Sequence, residues 1–177
     1  MKYYHMVLIY CGLMLSACSR SSGPESALSQ SATSNTQITT RNHTVNGMHE
    51  VMKLEVNGKE VVASLEWRNY SNATDANVSV WYGDMSRPPA KYVVKKLAVS
   101  VEGKEVNIPA SHYRYLASQW MNDVKSLGAY KSGEDLNIYV DVGDGSEGWT
   151  ASYIIHLDTG TLVSHKMYDG PGFHNQF

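Results

Sequence analysis

Apolar and polar residues alternate along much of the chain from about residue 43 onward, the period-two pattern of strands with one face buried. Met52, Leu54 and Val56 alternate with Lys53 and Glu55, Asn57-Gly58 follows, and Val61, Ala63, Leu65 and Trp67 alternate again. Asn-Gly between alternating runs predicts a hairpin with a two-residue turn, because both turn residues must accept positive φ. That register sets Leu54 opposite Val61 and Met52 opposite Ala63, whereas a slip by one residue would put Leu54 against Glu60. The cost is Glu55 facing Glu60 on the wet side.

The same text returns further on, NGKEV at 57–61 becoming EGKEV at 102–106. It reads as one turn chemistry used twice, and it pairs Val99 with Val106 and Leu97 with Ile108. Val78, Val80 and Tyr82, alternating with Ser79 and Trp81, predict a further strand between a polar loop at 69–75 and a break at 83–89. After Pro109-Ala110-Ser111, the spacing of Tyr113, Leu116, Ala117 and Trp120 predicts one short helix from about Ser111 to Met121. Gly128 and the turn residues Lys131 to Asp135 then favour a hairpin leading into Leu136, Ile138, Val140 and Val142. A final hairpin joins residues 149–157 to 162–168 through Asp158-Thr159-Gly160, pairing Ile155 with Val163 and Tyr153 with His165 and leaving Ser152 opposite Lys166 on the wet side. The expected fold is mainly β: an antiparallel sheet or sandwich built from hairpins, with one short helix.

The N-terminus follows different rules. Lys2 is a minimal positive region, and the apolar run at residues 6–15 is about half the roughly 20 residues a membrane-spanning helix requires, so it reads as a secretory signal. It ends in Leu15-Ser16-Ala17-Cys18, which resembles the lipobox of bacterial lipoproteins. The resemblance covers only this stretch. It implies cleavage before Cys18, acylation of its sulfur and, with Ser19 and not Asp next, passage to the outer membrane of a double-membrane host. Of the two cysteines, Cys11 would leave with the signal and Cys18 would be consumed by acylation, so no disulfide supports the folded body.

Residues 19–40 are mostly Ser, Thr, Gln, Asn and Ala, a composition that buries too little apolar area to offset the ordering of its backbone. The expected organisation is a signal at 1–17, a lipid-anchored tether at 18–42 and one mainly-β domain at 43–177. As a flexible coil of about 22 residues, the tether would span roughly 25 Å and reach at most about 75 Å.

Cleavage takes Lys2 from the 15 basic side chains and leaves 14 against 17 acidic ones. Without a basic stripe, this balance predicts no nucleic-acid binding. The Asn-x-Ser/Thr triplets at Asn42, Asn69, Asn72 and Asn77 read, in a bacterial lipoprotein, as products of polar loops.

Seven histidines raise the question of a metal, but no HExxH motif or His/Cys cluster has ligand spacing, and His156 and His165 fall on opposite faces. No metal or cofactor is expected. The acidic glycine loop from Asp141 to Glu147 offers oxygens to Ca²⁺ yet misses the EF-hand spacing, and reads as a wet connection. No serine stands in a GxSxG setting, and Ser111 beside His112 is not thereby placed for proton transfer, so no catalytic residue is assigned. A C-terminal Phe177 suits an outer-membrane barrel, but too few strands precede it.

Two function classes remain. One is a lipid-anchored envelope module that binds another envelope protein, of assembly-accessory, inhibitor or immunity type. The other is a small periplasmic hydrolase or metal-dependent enzyme whose site forms only on folding. For the first, Trp149 and Phe173 are the candidate partner contacts, because large aromatics anchor interfaces at small entropic cost.

Overall fold

The computed structural model describes residues 38–83, 88–120, 125–143 and 148–169. The signal, Cys18, most of the tether, residues 144–147 of the acidic loop and Phe173 lie outside them. The fold is mainly β, as expected, with two antiparallel sheets.

The six-stranded sheet runs β1 (Ile38–Asn46), β2 (His49–Val56), β3 (Lys59–Asn69), β4 (Tyr92–Val101) and β5 (Lys104–Glu105), and β6 (Ala117–Ser118) also pairs with β4. The four-stranded sheet has the order β10 (Thr161–Asp169), β9 (Trp149–His156), β8 (Asp135–Val142), β7 (Leu127–Ser132). Each presents an apolar face to one shared core. Met52, Leu54, Val61, Leu65, Leu97 and Val99 from the first meet Leu136, Ile138, Val140, Tyr153 and Ile155 from the second.

The β2–β3 register matches the expectation residue for residue: Leu54 pairs with Val61, Met52 with Ala63 and Glu55 with Glu60. Asn57 and Gly58 both have positive φ, 52° and 78°, which the two-residue turn demands. Glu102 and Gly103 repeat this at 50° and 76°, and the Val106 N–H donates to the Val99 carbonyl at 2.8 Å.

Five expectations are corrected. The first strand begins at Ile38, inside the segment assigned to the tether; most of its side chains are exposed, so its place depends on backbone pairing with β2, which composition does not record. Residues 78–81 form no strand, and Tyr82 makes only an isolated parallel bridge to Leu116. In place of a helix from Ser111 there is a single 3-10 turn, Ala110–His112, after which Ala117 and Ser118 pair with Val93 and Tyr92. Free edge groups of β4 there outcompete continued helix.

In the last hairpin Ile155 pairs with Leu162, not Val163, because a bulge at Val163 absorbs one residue before Tyr153 meets His165. Ser152 is not wet either: it is 1% exposed, and its hydroxyl donates to Asn137 Oδ1 at 3.0 Å. Asn137 in turn donates to the Tyr130 hydroxyl. The Tyr139 ring covers Gly128, where a Cβ would come within 2.1 Å of it. Tyrosines thus roof the outer face of this sheet.

A buried carboxylate helps tie the sheets together. Glu50 on β2 is 2% exposed, and its carboxylate accepts the Ser126 and Leu127 N–H groups, both at 3.0 Å, where the chain enters β7. His43 Nε2 of β1 lies 2.6 Å from the same carboxylate. Glu50→Ala would leave one buried and one half-buried donor without an acceptor and should cost about 3 kcal/mol of unfolding free energy, while Glu50→Gln keeps one oxygen and should cost clearly less. Urea denaturation checks this; equal losses in the two variants would contradict it.

Candidate functional site

β3 ends in Arg68-Asn69, and the polar loop after it closes one helical turn, Asn72–Asp75. The Thr74 and Asp75 N–H groups donate to the Ser71 carbonyl at 3.1 and 2.8 Å, and the Ser71 N–H returns to Asp75 Oδ2 at 2.8 Å. This small ring aims the Asp75 carboxylate back at β3. Arg68 meets it with both nitrogens, Nη1 to Oδ2 and Nη2 to Oδ1, each at 2.7 Å. A forked pair of this kind is geometrically demanding and strong. The Arg68 guanidinium, helped by the Ser71 N–H, holds the Asp75 carboxyl down at about 2 despite burial, which pushes it up.

The pair forms the floor of a concavity of about 540 Å³. Residues 77–81 make one wall. Its ends are tied: the Val78 N–H donates to the Asp75 carbonyl at 3.0 Å, and the Tyr82 N–H to the Tyr115 carbonyl at 2.9 Å. Gly83 then turns the chain at φ 136°, where a Cβ would fall 1.8 Å from the Ala117 carbonyl oxygen. Trp81 is braced edge-on against Tyr70 at 6.2 Å, and Val80 stands 53% exposed.

Arg114 and Tyr115, alongside Tyr82, complete the lining. The Arg114 guanidinium lies 4.6 Å from the Tyr115 ring centroid and donates to its hydroxyl. Among the described residues, Arg114 meets no carboxylate. Because Asp75 cancels Arg68, Arg114 sets the sign of the concavity: one positive charge, held on an aromatic ring, beside exposed apolar surface. Such a surface binds anions that carry an apolar neighbour.

The residues singled out from sequence lie elsewhere. Trp149 is half-buried, its ring 4.8 Å from that of Tyr82 and packed on the core margin. Cys18 and Phe173 lie outside the described residues. Asp141 accepts the Thr150 hydroxyl, and among the described residues no group of three or more His, Cys, Asp or Glu could hold a metal. Arg68, Asp75, Trp81 and Arg114 were not anticipated. Their only trace in the sequence is an arginine and an aspartate bracketing a short polar loop.

No family model, curated protein or solved structure matches the chain.

Beside the concavity, the 3-10 turn packs His112 on β10. The His112 and His165 rings stack at 4.5 Å and 5°, His165 lies 5.0 Å from the Tyr153 ring, and the Tyr153 hydroxyl donates to the His112 carbonyl at 2.9 Å. His112 Nδ1 and His165 Nε2 are buried without a hydrogen-bond partner among the described residues. Parallel rings do not converge on one metal ion. Burial, then the neighbouring His112, pushes His165 below the ordinary value of 6.5. The unfolded chain therefore takes up this proton first as pH falls, so stability should drop below about pH 6.5. The fall in unfolding free energy between pH 7 and 5 should shrink in His165→Phe, which keeps the aromatic stack. An unchanged fall would contradict the assignment.

Proposed function

We propose that the chain is a lipid-anchored binding module of the bacterial cell envelope. Acyl chains on Cys18 hold it to the membrane, most simply the periplasmic face of the outer membrane, and the β head binds another envelope protein. Two or three acyl chains, at about 0.8 kcal/mol per buried CH₂, make the attachment effectively permanent. The observation that carries the binding role is the concavity beside Arg114: a cation that meets no carboxylate among the described residues, set on Tyr115 and bordered by the exposed Val80 and by Trp81. Anchoring supports it further, since a tethered head meets other membrane-held proteins at raised effective concentration.

The test is made in the native envelope, with a photoreactive phenylalanine analogue in place of Val80 in the full chain. Irradiation should join the protein to one envelope protein, and mass spectrometry of the mature N-terminus should find Cys18 acylated. An unmodified Cys18, or a head that turns over an envelope substrate and cross-links to nothing, would defeat the reading.

A further inference from the structure

We infer that the concavity takes an extended, acidic peptide segment of the partner, with a carboxylate on Arg114 and the peptide backbone along residues 79–81. The inference rests on the binding-module reading. Three features point to this occupant. The first is charge: Arg68 is consumed by Asp75, so among the described lining residues the available cation is Arg114, which rests on the Tyr115 ring. A guanidinium presents paired donors that match a carboxylate.

The second is backbone. Ser79, Val80 and Trp81 make no backbone hydrogen bonds to other described residues, although the chain is tied on either side at Val78 and Tyr82. Exposed N–H and C=O groups of this kind are satisfied by water and offer a peptide the pairing that an edge strand offers. A small organic anion would use Arg114 and leave these groups idle. The third is size: at about 3.3 Å per extended residue, a run of three matches roughly 10 Å of partner chain, and about 540 Å³ accommodates its side chains. Val80 and Trp81 give the residues beside the acid an apolar surface.

The probe is a fluorescent seven-residue peptide with Glu at its centre, Val on each side and Ser or Thr beyond. It is compared with the same peptide carrying Lys at the centre and with benzoate, all against the full chain in mild detergent. The Glu peptide should bind at least tenfold more tightly than the Lys peptide, weaken as salt is raised, and slow hydrogen exchange at residues 79–81. Arg114→Gln should cost at least tenfold in its affinity. Equal binding of the two peptides, or full affinity in Arg114→Gln, would overturn the inference. So would benzoate displacing the probe with no exchange protection at residues 79–81, which would mark a small-anion pocket. An envelope partner still cross-linked from position 80 in Arg114→Gln would remove the carboxylate site and leave the binding module standing. Peptide binding with no envelope partner would do the reverse.

Discussion

Two sheets that each bury one face must share a core, and here the shared core is pinned at its margin by a single buried carboxylate. Glu50 sits on β2 but accepts its hydrogen bonds from Ser126 and Leu127, across the gap at the start of β7. Hydrophobic contact between the sheets is non-directional and would tolerate sliding. Two backbone N–H groups on one carboxylate do not. The interaction therefore favours one alignment of the sheets, which Lys59, reaching from β3 to the Leu157 carbonyl and Asp158, supports at the other margin.

The loops after β3 and before β6 exploit that alignment. β4 already pairs with β3, β5 and β6, so the chain at 77–81 finds no place in the sheet and crosses its margin instead. It is held there by the Tyr82 N–H to the Tyr115 carbonyl, the Ala117 N–H to the Tyr82 carbonyl, and the tilted contact of the Tyr82 ring with that of Trp149. The two arginines of the concavity then divide their work. Arg68 is locked to a buried aspartate and shapes the floor, while Arg114 is exposed and rests on an aromatic ring. The charge left over faces outward.

Sequence patterning reached the hairpins because two constraints agreed there. Asn57-Gly58 tolerates positive φ, and only the matching register put Leu54 and Met52 on the core side. It failed where one constraint acted alone. β1 exposes most of its side chains, so nothing in its composition distinguishes a paired strand from a tether. Tyr113, Leu116 and Ala117 have helical spacing, but the edge of β4 offered their backbone better partners. Ser152 falls on the outer face by the register that turns Tyr153 inward, and the tyrosine roof that buries it there depends on Gly128 in another strand. The candidate site was illegible for the same reason. Arg68 and Asp75 are separated by a loop whose closure depends on the Ser71 backbone, and Arg114 comes near them only after the 3-10 turn replaces a helix.

The division of labour between the arginines is the claim on which the functional account stands. Chemical denaturation of Arg68→Gln and Arg114→Gln, side by side at neutral pH, tests it most directly. Removing Arg68 strands a buried carboxylate and should lower the unfolding free energy by about 3 kcal/mol or more, whereas removing the exposed Arg114 should change it by less than about 1 kcal/mol, the scale of its contact with Tyr115. Equal losses, or a larger loss at Arg114, would show that Arg114 belongs to the fold and is not held in reserve for a ligand.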